Sequence, residues 1–305
     1  MTPSFKINIS SAPLEQRDPD LSTAFNDREI AVAENIRHLC VPLGPYRNLT
    51  TITAAIFATH KRALVLNHAA IRVLSDESLD VFKNPAEDTF LHFKRIAVRL
   101  SRGGQRGDYG GDIRLSHAFE SDELVNLYLR YHKSGVLNEN ATALFWKDSM
   151  RILNHMTANG LRPGDLARDH RFFRFLVPIR SPLDCAKSNI RSGHFMHLSR
   201  ALSPTVNYIL DKILFVLRYL HDEAKRCSER FFFFTENEWN SSLLKELCWF
   251  CTMECDENWA MDVVNTVRLR PRYMHQPDEI EFYRSRVREC FADAPQMAER
   301  LLLLS

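Results

Sequence analysis

Ser203-Pro204-Thr205-Val206-Asn207-Tyr208-Ile209-Leu210-Asp211-Lys212-Ile213-Leu214-Phe215-Val216-Leu217-Arg218-Tyr219-Leu220 is the stretch from which the fold is read. Val206, Leu210, Ile213, Leu217 and Leu220 recur at three- and four-residue steps, which places them on one stripe of a helix. Such a stripe must be buried, so this helix is expected at the centre of a core. Helix punctuation recurs on both sides of it. Asp27 reads as the cap of a helix running to about Cys40 and stopped by Pro42, Gly44 and Pro45. Asn84-Pro85-Ala86-Glu87 combines an N-cap, a proline at the first helical position and a capping-box glutamate, opening a helix to about Ser101. Ser121 caps a helix ending near Gly135. Asn138 or Asn140 opens another, carrying Leu144, Met150, Leu153 and Met156 to its stop at Asn159-Gly160. Thr235 with Glu238 introduces a helix through about Glu254, Asp256 and Asp278 cap two more, and a last one runs from Pro295.

Alternating apolar and polar residues, the mark of a half-buried strand, are almost absent. The expected fold is therefore all-α, as a compact two-lobed helical protein. It has an extended N-terminal arm over residues 1–25, where Phe5, Ile7 and Ile9 alternate between prolines, then a helical lobe over 26–160. An irregular basic connecting region over 161–202 leads to a second helical lobe over 203–305.

Composition narrows the function classes. The chain has 305 residues, with 45% hydrophobic and 26% charged side chains, as in ordinary globular proteins. No apolar run approaches the ~18 residues that cross a bilayer, and the first residues lack the apolar stretch of a secretory signal. Seven cysteines, an odd number, do not form a disulfide framework. A cytoplasmic or otherwise intracellular protein without a membrane partner is expected. Cys248, Cys251 and Cys255 share one helix face with Leu244 and Leu247, which reads as a core stripe.

Charge is unevenly spread. Residues 94–200 hold 18 basic and 10 acidic side chains within a chain whose net charge is +2. Arginines outnumber lysines 30 to 10, and a guanidinium can bind phosphate in a bidentate way and stack on bases. Five of the ten glycines fall between Gly103 and Gly111, marking a mobile surface loop ringed by Arg95, Arg99, Arg102, Arg106 and Arg114. Farther on, Arg168, Arg171 and Arg174 interleave with phenylalanines, and Arg180 and Arg191 follow. Cationic grooves with aromatic faces hold single-stranded nucleic acid. These ten arginines are the expected nucleic-acid contacts.

Two other patterns carry chemistry. Leu220-His221-Asp222-Glu223-Ala224-Lys225 resembles the histidine-aspartate dyad of the HD-domain phosphohydrolases, a family of metal-dependent all-α enzymes. That resemblance implies a metal held by His221 and Asp222, with His194 or His197 before them and Asp256 or Asp262 after. Residues 236–262 hold seven acids against one lysine, which suits a helical scaffold for a basic protein partner. No phosphate-cradling P-loop, dinucleotide glycine fingerprint or nucleophile elbow stands out.

The function expected from these features is non-enzymatic binding of single-stranded nucleic acid, RNA first, by a self-associating nucleocapsid- or coat-like protein. No cofactor is expected. The arm and Leu301-Leu302-Leu303-Leu304 would join subunits into a homo-oligomer, in the cytoplasm or within a virion. The alternatives are the phosphohydrolase and the interaction scaffold.

Overall fold

The computed structural model describes residues 21–103, 110–132, 138–199, 201–269 and 273–305. Its centre is a six-stranded sheet. The strands are β1 (His38–Pro42), β2 (Ala63–Asn67), β3 (Gly111–Asp112), β4 (Ala143–Lys147), β5 (Phe173–Ile179) and β6 (Phe231–Thr235), in the order β3-β2-β4-β1-β5-β6. All neighbouring pairs are parallel except β2 with β3, which closes one edge antiparallel.

The all-α expectation is therefore wrong, and the error has one physical cause. A parallel sheet covered by helices on both faces has no wet side, so its strands read as unbroken apolar runs rather than alternations. Leu39-Cys40-Val41, Leu64-Val65-Leu66 and Leu144-Phe145-Trp146 are such runs, and each residue in them is buried. The helix expected to reach Cys40 stops at Asn35, and the one expected from Asn138 or Asn140 is β4 followed by a separate helix. The region read as irregular over 161–202 holds β5 and the helix after it. Hydrogen bonding in the sheet is continuous across the boundaries expected at 160 and 202, because β5 pairs with β1 from the first lobe and with β6 from the second. The nucleocapsid-like and RNA-binding description was framed on an all-helical body, and this α/β sheet overturns that frame.

Thirteen helices surround the sheet among the described residues: α1 (Asp27–Asn35), α2 (Thr50–Ala58), α3 (Ala70–Leu74), α4 (Glu87–Leu100), α5 (Asp122–Tyr131), α6 (Met150–Ala158), α7 (Pro163–Asp169), α8 (Pro182–Ser192), α9 (Val206–Ala224), α10 (Ser241–Phe250), α11 (Glu257–Thr266), α12 (Pro277–Cys290) and α13 (Pro295–Leu302). One face packs Leu39, Val41, Trp146, Phe173 and Phe175 against α1, α4, α6, α8, α9 and α12. The other packs Cys40, Val65, Phe145 and Leu176 against α2, α5, α10 and α11. Successive strand residues thus feed two different cores. Each fully buried Phe, Leu or Val contributes roughly 1.5–3 kcal/mol, so two cores on one sheet outweigh local helix propensity.

Several expected details hold. The long helix is α9, with Leu210, Ile213, Leu217 and Leu220 buried and Thr205 capping it. Ser121 caps α5 and Asp256 caps α11. Two glycines of the glycine-rich stretch are required by backbone packing rather than by mobility. A Cβ on Gly110 would lie 2.2 Å from Ala69 N, and one on Gly111 would lie 1.8 Å from Gly103 O. The terminal leucines divide: Leu301 and Leu304 are buried in the chain's own core, while Leu303 is exposed. Phe5, Ile7 and Ile9 of the arm lie outside the described residues. No described helix is long and apolar enough to cross a membrane.

Candidate active site

In parallel sheets ligands bind outside the carboxyl ends of the strands, where the chain leaves neighbouring strands toward opposite faces. Here β1 leads into α2 on one face, while β4 and β5 lead into α6 and α8 on the other. A cavity of about 630 Å³ opens at this point, a volume suited to a small molecule.

Its floor is the connection from β1 to α2. Arg47 and Leu49 sit in left-handed backbone conformation, with φ of 67° and 62°. Alternation of this kind turns successive N–H groups toward one point. No side chain caps α2, so the first N–H groups of a nine-residue helix face the cavity at its positive end. The loop is held by buried Asn48, whose Nδ2 donates to Pro178 O at 2.5 Å and whose Oδ1 accepts from Arg180 N at 2.8 Å. Arg47 Nε donates to Ser188 Oγ on α8 at 2.9 Å.

The neighbouring strands each end in a polar residue. β2 ends beside His68, whose Nδ1 lies 3.3 Å from Asp148 Oδ1. Asp148 is buried and also accepts from Ala70 N at 3.1 Å, so its carboxylate is fixed. β4 ends in Lys147, whose Nζ lies 3.4 Å from His68 Nε2. Burial pushes the Lys147 ammonium down to about 8. β5 is followed by Arg180, which pairs with buried Asp184 and lies 3.9 Å from Glu236. Burial pushes the Glu236 carboxyl up. Tyr46, His117, His194 and Arg268 line the outer wall.

Backbone strain marks the same place. Among the described residues, six non-glycine residues have positive φ: Arg47, Leu49, His68, Ala69, Ser149 and Thr252. The first five follow β1, β2 and β4 at the crevice; only Thr252 lies elsewhere. Such conformations cost of order 1–3 kcal/mol each and persist where the surroundings hold them for a purpose.

Of the residues expected from the sequence, Arg180 and His194 reach this cavity. Four of the other nine arginines are engaged by separate carboxylates within the fold. Arg99 is buried on Glu29, Arg114 pairs with Asp112, Arg168 with Asp165 and Asp169, and Arg95 lies 4.0 Å from Glu34. Arg102, Arg171 and Arg191 are exposed, Arg174 is half-buried, and Arg106 lies outside the described residues. The metal set implied by the HD-domain resemblance is dispersed. Asp222 is held by Arg218 and Lys225, and Asp262 by Arg130 and Tyr131. His221 lies edge-on to Phe233 and Phe291, while His194 and His197 flank the ring of Tyr46. No three metal-ligating side chains cluster among the described residues. Cys248 and Cys251 are buried in the core face.

Sequence reasoning missed Arg47, Asn48, Thr50, His68, Lys147 and Asp148. Their signal was present: apolar runs ending in a polar residue at Asn67-His68, Lys147-Asp148 and Arg180. Gly44 and Thr50-Thr51 follow the apolar run Leu39-Cys40-Val41, and the threonines open an apolar helix.

No protein-family model and no curated protein matches the chain. Among solved structures it is similar to one titled "Sulfotransferase Domain from the Synechococcus PCC 7002 Olefin Synthase", at 13% identity and a TM-score of 0.39, over 81% of this chain and 93% of that one.

Proposed function

We propose that the crevice is the active site of a transferase that binds a phosphate- or sulfate-bearing small molecule and passes a tetrahedral anionic group to a hydroxyl or amine acceptor. One observation carries this reading. A strained strand-to-helix loop, an uncapped helix N-terminus, Arg47 and Lys147 converge on a cavity beside a histidine already oriented by a buried carboxylate.

Each part has a task. The loop N–H groups and the α2 terminus hold one anionic group, as helix N-termini do. Asp148 fixes His68 with its Nδ1 proton toward the carboxylate, leaving Nε2 as acceptor toward the cavity. The acceptor's oxygen or nitrogen attacks the tetrahedral centre while its proton passes to His68 Nε2. The bond from that centre to the donor's bridging oxygen breaks, and the electron pair leaves with the donor. Lys147, adjacent to His68 Nε2, stabilises the charge that develops on the departing oxygen.

Calorimetric titration with nucleoside bisphosphates, triphosphates and a sulfuryl nucleotide tests the binding half. At least one should bind, and Arg47→Ala with Lys147→Met should abolish its binding while the fold persists. No binding by any of these anions in the intact protein would refute the reading.

A further inference from the structure

The amino edge of the sheet, opposite the crevice, carries a second concentration of positive charge. Cys40 on β1 is in register with Arg174 on β5, and Phe175 with Phe231 on β6. Just before β6, Arg230 ends a short 3-10 turn over Ser228–Arg230, close enough for its charge to act on Arg174. Side chains alternate along strands, so His38 and Arg174 project to the face where Cys40, Leu176 and Phe234 pack under α10. The Arg174 guanidinium lies 5.4 Å from the ring centre of Phe250, at the end of that helix.

This arrangement is only partly compensated, because the charge of one acid, Glu229, acts on both Arg230 and Arg174. Like charges on neighbouring strands destabilise a sheet. Among the described residues no carboxylate lies within 4.0 Å of Arg174, Arg230 or the adjacent Arg37, in contrast to most arginines near the first expected site. Arg174 Nε and His38 Nδ1 are both buried and without a hydrogen-bond partner. The neighbouring acid, Glu229, is exposed and accepts from Cys227 Sγ at 3.1 Å. The carboxyl end of α10 supplies only about half a negative charge. Buried polar groups left in this state are rare unless something external satisfies them.

We propose that this cationic cluster binds the phosphate of a small phosphate monoester, held between Arg174 and Arg230 beside His38. The charge count selects the ligand. Arg174, Arg230 and Arg37 against Glu229 leave two positive charges; a monoester, close to dianionic at neutral pH, balances them, whereas a carboxylate or a phosphodiester leaves one unbalanced. Planar guanidinium forks match its oxygens in bidentate fashion. A histidine beside it can take up a proton and donate a further bond to the anion.

His38 also provides the readout. Burial, then Arg174 and Arg230, push its imidazole down to about 4, opposed by a hydrogen bond with the Arg171 backbone and aided by Arg37. A bound dianion opposes the two arginines, so the His38 titration moves up. The experiment follows the His38 ring signals by NMR in the full chain, adding inorganic phosphate, glycerol phosphate or dimethyl phosphate. Phosphate and the monoester should shift His38 saturably and raise its titration by about one unit. Dimethyl phosphate, a monoanion, should do so far less. Arg174→Gln and Arg230→Gln should each weaken the response about tenfold, and Arg174→Lys, which keeps the charge, should retain part of it. Lys147→Met should leave the response in place, separating this site from the crevice. A His38 signal that is unmoved by on the order of tens of millimolar phosphate in folded protein overturns the proposal. So does an equal response to dimethyl phosphate or to a short oligonucleotide, which would assign the cluster to diesters.

Discussion

The two edges of one sheet make different use of positive charge. At the carboxyl edge, Lys147, Arg47 and Arg180 sit among strained backbone, and each has a named polar neighbour: His68, Ser188 and Asp184. At the amino edge, Arg174 stands on β5 and Arg230 just before β6, and among the described residues no carboxylate lies within 4.0 Å of either. The first pattern fixes groups in geometries suited to reaction. The second leaves charge to be balanced by a ligand. The proposed chemistry uses strain with pre-oriented side chains, and the proposed phosphate binding uses excess positive charge.

The strongest test of that contrast is His68→Asn. It removes the acceptor nitrogen while Asp148 keeps its bond to Ala70 N. Turnover with a productive donor–acceptor pair should fall by roughly 10²–10⁴-fold, the usual contribution of a general base, with donor affinity little changed. The His38 response to phosphate at the amino edge should be untouched. Equal losses in affinity and turnover would make His68 a binding group and erase the distinction.

Next is the pH dependence of anion binding in the crevice. Lys147 carries its charge below its folded value of about 8 and loses it above. Donor affinity should be full near pH 6.5 and decline as pH rises through about 8. A lysine near its ordinary 10.5 would hold affinity for two further units. Calorimetry from pH 6.5 to 9.5 reads this directly, and Lys147→Met should flatten the profile at the weak, high-pH level. A wild-type profile flat to pH 9.5 would show that Lys147 is not part of the cradle.

Asn48→Ala addresses how the loop is held. Its loss removes one bond to Pro178 O and one from Arg180 N in a buried setting. Leaving those groups unpaired should cost about 1–3 kcal/mol in denaturant unfolding and weaken donor binding as well. Stability loss without any loss of binding would mean that the loop's shape does not depend on its tie to β5.

The smallest effect is expected from Leu49→Gly. Glycine adopts the left-handed conformation of residue 49 without the ~1 kcal/mol penalty of a side chain. Its own chain entropy offsets part of that gain. Thermal unfolding should show a stability unchanged or slightly raised, together with weaker donor binding from a looser loop. A marked destabilisation would mean that the Leu49 side chain, rather than backbone strain, is what the site requires.

How much was legible in the sequence differs by type of element. Thr205, Ser121 and Asp256 cap helices as expected, because a cap is a bond between residues two or three apart. Residues 161–202 were expected to be irregular, yet Pro163 and Pro182 each stand in the first turn of a helix, where a missing proline N–H costs nothing. Thr235 and Glu238 do form a capping box, but on a short turn; the helix itself is capped by Asn240. The crevice was nearly invisible, since Arg47, His68, Lys147 and Arg180 are spread over more than 130 residues.

The sequence alone determined the local grammar of this protein: the amphipathic stripe of α9, the caps, and the cysteine face that belongs to a core. Those features depend on neighbours three or four positions away, so spacing reveals them. Only the tertiary structure decided that Leu39-Cys40-Val41 and Phe231-Phe232-Phe233-Phe234 are strands. A short apolar run is compatible with a buried helix or a buried strand, and the partner that accepts its hydrogen bonds settles which. The same holds for the two sets of cations. Their carboxylate partners, or the lack of them, come from distant parts of the chain, and only the folded sheet brings them to one edge or the other.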